Sequence, residues 1–217
     1  MKIFFAFVII FAPLSQLSVA VEKEFSEEQI SKKGQSFTLA VLPDTQFYCD
    51  TRLKLSEKWG NGDLRHYFFE QTRWVRDNQK RLNIAFLVHE GDIVQADAPE
   101  EWAIAKEAMS ILDGHVPYCL CLGNHDMGFQ KSNNKYGGDI AVNRTTHFNK
   151  YFPREKFAMT KEFGGTFDPK RHDNSWYHFN AAGMKFLIVS LECKPRDEVL
   201  DWANKVVAEH PEHRVIV

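Results

Sequence analysis

The apolar residues at 37–42, 84–88 and 116–122 form short runs of buried-strand length, and each stops abruptly at polar residues. Stripes of helical period lie between them. Phe68, Gln71, Val75 and Leu82 fall roughly along one face of a helix over 64–81, with Asn61-Gly62-Asp63 as its start. Ala98-Pro99-Glu100-Glu101 starts a second helix, with Pro early and acids in the first turn. Trp102, Ala105, Ala108, Met109 and Leu112 follow at helical spacing, and Asp113-Gly114 closes it. Strand, helix, strand, helix, strand with short connections predicts a parallel sheet, whose strand C-termini share one edge.

Clean periodicity lapses over 127–175, where nine Lys and Arg stand against five Asp and Glu. This stretch reads equally as a substrate-facing loop or as a solvated insertion. Asn143-Arg144-Thr145 fits a glycosylation acceptor if the source is eukaryotic. Residues 176–179 and 184–191 then predict a hairpin around Asn180-Ala181-Ala182-Gly183, with Glu192 at its exit. An amphipathic helix over 196–209 carries Val199, Trp202, Val206 and Val207 and is broken at His210-Pro211. A last apolar strand begins at Arg214.

The chemistry sits at the strand exits. The first run ends in Asp44-Thr45-Gln46, the second in His89-Glu90-Gly91-Asp92, and the third in Gly123-Asn124-His125-Asp126. Gly123 is expected to let the backbone turn sharply, so that an amide, an imidazole and a carboxylate follow one another at the sheet edge. Asp44, Asp92 and Asn124 are far apart in sequence, yet a parallel sheet brings them to the edge where open α/β sheets bind ligands. Plainer roles exist for each: turn hydrogen bonds for Asn124 and Asp126, and helix caps for Asp44 and Asp92. His89 reads as structural, and Cys49 as inert. No spacing supports His147, His172 or His178 as ligands.

With 217 residues, 44% hydrophobic and 26% charged, the chain suits one domain with a substantial core. A net charge of -2 implies no general affinity for nucleic acid. The N-terminus stands apart. Lys2, an apolar run over 3–14 interrupted only by Pro13, and Ser18-Val19-Ala20 together read as a signal peptide over 1–20, cleaved after Ala20. That run is too short to span a bilayer, which takes about 20 apolar residues. A secreted or periplasmic protein is therefore expected, with a polar lead-in over 21–35 and one domain over 36–217. The spacing of the four cysteines argues for no disulfide framework, and Cys119 and Cys121 read as small buried hydrophobes.

The three motifs in this order, each after a strand, resemble the calcineurin-like metallophosphoesterase family. Gly123-Asn124-His125-Asp126 is the specific part. Ser175-Trp176-Tyr177 through Leu191-Glu192, and the helix and strand beyond, are similar to that family's later elements. The resemblance implies an α/β fold, a two-sheet β-sandwich flanked by helices (α/β/β/α). It implies hydrolysis of a phosphomonoester or phosphodiester in a small phosphorylated substrate, by water activated between two divalent cations about 3.5 to 4 Å apart. Asp44 and Gln46 would bind the first cation, Asp92 would bridge both, and Asn124 would bind the second. His125 would sit over the substrate, stabilising the transition state or protonating the leaving oxygen, with Asp126 orienting it.

Gln46 stands where the family usually has His, as in one of its branches. A neutral amide oxygen favours Mn or Mg over Fe or Zn. The family's remaining ligands, a His after the next strand and a Gly-His-x-His, would fall beyond Val217, so a C-terminally truncated chain is expected. The alternative is a catalytically impaired form that binds only metal or phosphate. A serine hydrolase is disfavoured, since the chain has no Gly-x-Ser-x-Gly.

Overall fold

Four parallel strands make the first sheet, in the order β1 (Phe7–Ile9), β2 (Thr38–Leu42), β3 (Ile84–His89) and β4 (Tyr118–Leu120). The computed structural model describes residues 7–9, 36–50, 63–127, 129–130, 135–136 and 147–217. Most of the leader, the lead-in, Asn61-Gly62 and Asn143-Arg144-Thr145 lie outside the described residues. Phe7–Ile9 falls within the apolar run read as a leader and pairs in parallel with β2. Leu42 lies opposite His89, and His89 opposite Leu120, so the three polar exits share one edge as the element order predicts.

β3 is covered on both faces, which is why its sequence is apolar throughout. Phe86 turns toward the second sheet, stacking on Phe179 with ring centroids 5.3 Å apart and meeting Tyr177 edge-on at 5.7 Å. His89 turns the other way, with its ring 6.0 Å from Phe68 of a long helix. After the short α1 (Gln46–Cys49), that helix is α2 (Arg65–Leu82), which buries Phe68, Gln71, Thr72 and Val75. It stops at Asn83, whose left-handed backbone (φ 49°, ψ 49°) caps the helix. α3 (Pro99–Ser110) has Pro in its first turn beside Glu100 and Glu101, as expected, and buries Trp102, Ala105, Ala108 and Met109.

Beyond the two-residue strands β5 (Phe129–Gln130) and β6 (Lys135–Tyr136), α4 (Phe148–Tyr151) and α5 (Arg154–Ala158) are too short for a periodic signal, and the sequence predicts neither. Phe148 and Phe152 meet Trp102 edge-on, at 5.8 and 6.2 Å, and fix α4 against α3. The second sheet runs β10-β9-β8-β7, from β7 (Phe163–Thr166), β8 (Ser175–Ala181), β9 (Met184–Ser190) and β10 (Arg214–Ile216). The β8–β9 turn is the residue pair Ala182 and Gly183, both at positive φ (49° and 72°), tighter than the four-residue turn expected. α6 (Asp197–Ala208) covers the outer face by packing Ala203 and Val206 on Leu187 and Val189. The layers are α/β/β/α, as the family resemblance implies. The sheets join at the site edge, where Leu122 bridges Glu192 in parallel and Ser190 Oγ donates to the Leu120 carbonyl at 2.9 Å. All four cysteines are free.

His172 sits in the seam near α4 and α5. Its ring stacks on Phe157 at 3.9 Å and on Phe148 at 5.5 Å, and Nε2 meets the Tyr177 hydroxyl. Burial lowers its pKa to about 3. The unfolded chain takes this proton near pH ~6.5 and the folded chain resists it, so stability present above pH ~6.5 is lost as pH falls through the folded value. His172→Phe should flatten the decline of the unfolding midpoint between pH ~6.5 and 3 and leave its slope above that window unchanged. Thermal melts across pH check this, and an unchanged acid slope refutes it.

Candidate metal centre

The site is built where the exits of β2, β3 and β4 converge. His89 is fully buried, and its Nδ1 accepts the Gly91 N–H at 3.2 Å. The proton therefore lies on Nε2, which donates to Thr45 Oγ1 at 2.9 Å; Thr45 Oγ1 donates in turn to the Ile93 carbonyl at 3.0 Å. The Thr45 N–H donates to the Asp92 carbonyl at 3.1 Å. This chain of bonds docks the first motif onto the second. Burial lowers the His89 pKa to about 3, so the imidazole is neutral at ordinary pH, in keeping with a structural role.

The second and third exits meet backbone to backbone. A Cβ on Gly91 would stand 2.7 Å from the Gly123 nitrogen, and one on Gly123 would stand 2.1 Å from Asp92 Oδ1. Gly91 also has φ 101°, and Asp92 itself has φ 46°. Gly123, by contrast, lies outside the left-handed region. The chain bends directly after it, and its place is also set by clearance for the Asp92 carboxylate.

Asp92 Oδ1 accepts the His125 N–H at 2.9 Å, which brings the carboxylate against the start of the 3-10 turn His125–Met127. Asp126, fully buried, faces the backbone: Oδ1 accepts the Val94 N–H at 2.9 Å and Oδ2 the Gly123 N–H at 2.8 Å. Burial raises its carboxyl well above the usual range. His125 Nδ1 lies 3.0 Å from the Gln95 carbonyl, an acceptor, so Nδ1 carries the proton. The orienting part that the resemblance gives Asp126 thus belongs on Nδ1 to Gln95, because the Asp126 carboxylate points under the two loops and ties them together.

Asp44 is at the exposed rim. Partial burial and then the charge of Asp92 raise its carboxyl, while His125 lowers it, so the three groups are electrostatic neighbours. Gln46 is buried, and its Oε1 has no hydrogen-bond partner among the described residues. A buried acceptor left unsatisfied costs about 1–3 kcal/mol, which a cation relieves. Asn124 is half-buried between Gly123 and His125.

Asp44, Gln46 and Asp92 offer three oxygen donors, which fits one hard divalent cation. Asp92 and Asn124 offer two for a second. Among the described residues no group of three or more His, Cys, Asp or Glu could hold a metal. His172 is in the aromatic seam, His178 on β8 is 5.9 Å from Trp176, and His147, just before α4, bonds Asp97. Burial pushes the Cys49 thiol well up, consistent with an inert residue. The sequence did not reveal Gln95 or Val94, which act through backbone atoms; Thr45, between two named donors, was the available signal.

The model of the calcineurin-like phosphoesterase family matches residues 37–211. The chain belongs to this family of metal-dependent phosphoesterases. It is 30% identical over 193 residues, 88% of its length, to the uncharacterized protein YvnB of Bacillus subtilis (strain 168), of which the match covers 13%. The chain thus spans a small part of that relative. Among solved structures it is similar to the purple acid phosphatase PPD1 from yellow lupin (Lupinus luteus) seeds, with TM-score 0.41 and 16% identity over 81% of this chain and 28% of that one. Among the described residues no helix is long and apolar enough to cross a membrane.

Asp126→Ala strands the Val94 and Gly123 N–H groups and should cost at least about 2 kcal/mol of stability, whereas His125→Ala should cost well under half of that. Denaturant unfolding of both variants measures it, and equal costs refute the clamp.

Proposed function

We propose that this chain hydrolyses phosphate esters of small phosphorylated substrates at the convergent strand exits. The observation that carries this is the placement of the Asp92 carboxylate against the His125 turn, beside Asp44, with Gln46 two residues after Asp44 and its buried Oε1 unpartnered among the described residues. Asp44, Gln46 and Asp92 would hold one divalent cation, and Asp92 with Asn124 a second; Gln46 favours Mn or Mg. When bound, such a pair neutralises phosphoryl charge and makes water a nucleophile at neutral pH.

The chain's own residues do the rest. Asp92 is held by Gly123 clearance and by the His125 N–H, so its carboxylate cannot swing away. His125 is fixed by Gln95, and its Nε2 is the ring atom that would deliver a proton to the leaving oxygen. The two-donor set for a second cation favours one further reading: a single-cation protein that binds phosphate without turnover. Metal stoichiometry separates the two.

His125→Ala should retain the metal content of the parent and lower Mn-dependent hydrolysis of p-nitrophenyl phosphate or bis-p-nitrophenyl phosphate by about 10²–10⁴. Parallel loss of metal and activity would remove His125 from this role. No turnover by the parent with one bound cation would establish the binding reading instead.

Export belongs to the same proposal, with 1–20 as the leader, whose removal would take β1 with it and leave β2 at the sheet edge, and 36–217 as the domain. The apolar run and Ser18-Val19-Ala20 support it. N-terminal sequencing of protein from expressing cells should find Val21 first and the product outside the cytoplasm. An intact Met1 start in the cytosol would overturn it.

A further inference from the structure

We infer that His147 is a second imidazole of the site, a substrate-binding residue that contacts the phosphoryl group alongside His125. This rests on the phosphoesterase reading above. The loop leaving β3 carries both histidines on successive anchor points. His125 Nδ1 lies 3.0 Å from the Gln95 carbonyl, and His147 Nδ1 lies 2.7 Å from the Asp97 carbonyl. Two residues of chain span at most about 7 Å, so the anchors are neighbours at the same sheet edge.

His147 is pinned more firmly than a surface histidine needs to be. Its own N–H donates to Asp97 Oδ1 at 2.9 Å, its Nδ1 lies 3.3 Å from the same oxygen, and Trp102 Nε1 donates to that oxygen at 2.7 Å. Asp97 has φ 52°, a strained conformation kept by these bonds. Phe148, the next residue, is buried against Trp102.

The carbonyl contact places a proton on Nδ1, so the ring meets a ligand through Nε2. Among the described residues nothing bonds His147 Nε2, and the side chain is 40% exposed. Nε2 is then the atom that faces a phosphoryl oxygen, and the Asp97 carbonyl and carboxylate held at Nδ1 orient the ring. The sequence hides this residue, because His147 lies 22 positions beyond His125 and its recorded bonds run to Asp97.

Titration of the 217-residue protein with inorganic phosphate, in Mg²⁺ and followed by histidine side-chain NMR, tests the inference. Phosphate should shift the ring signals of both His125 and His147. His147→Asn retains a donor where Nδ1 was and loses Nε2. It should weaken phosphate binding about tenfold at unchanged melting temperature and metal content. His147→Gln, which places an amide near Nε2, should recover part of the loss. A shift of His125 alone, or full affinity in His147→Asn, overturns the role of His147 and leaves the phosphoesterase reading standing. Absence of any shift at either histidine overturns both.

Discussion

The approach of Gly91 to Gly123 is the constraint on which the site depends. At these separations neither position has room for a Cβ, so the turns after β3 and β4 approach main chain to main chain. Contact at that range points Asp92 Oδ1 at the His125 N–H and forces Asp92 into positive φ. A non-glycine residue in that conformation is unfavourable by itself. The Asp126 carboxylate holds it from below, binding Gly123 on one loop and Val94 on the other.

From that contact the third loop follows. Thr45 bonds the Asp92 carbonyl through its N–H and the Ile93 carbonyl through its hydroxyl, while His89 closes the ring of bonds from beneath. Thr45, His89 and Ile93 are buried and their bonds to one another are made, which makes the network stiff. Asp44 and Gln46, flanking Thr45, are carried to the edge by a residue that itself touches no ligand. Among the described residues the buried Oε1 atoms of both Gln46 and Gln95 lack a hydrogen-bond partner, and unsatisfied groups of that kind call for an explanation such as a bound ion.

Much of this was legible because the motifs are local and their strands are strongly apolar. The three exits, the parallel order and the two long helices follow from short-range pattern alone. What escaped was long-range or carried by backbone atoms. Asp126 finds partners 32 residues away at Val94, and His125 finds one 30 residues away at Gln95, neither of which has a side-chain signature. Gly123 was legible as a glycine at the bend after β4, whereas the clearance it leaves for a carboxylate on another loop was not. α4 and α5, four and five residues long, contain too few turns for a stripe to show.

Histidine shows most clearly how environment, not residue type, assigns chemistry. His89 and His172 are enclosed, with hydroxyl partners at Nε2, and burial lowers both to about 3, so neither exchanges a proton near neutrality. His125 and His147 instead hold Nδ1 against carbonyls of one loop and remain partly open to water. A ring fixed at Nδ1 has one orientation and one proton position, and a ligand then meets a defined atom. The loop from Asp92 to Asp97 therefore does two jobs. Its first residue supplies a carboxylate through its side chain, and its later carbonyls set the tautomers of the imidazoles beside it.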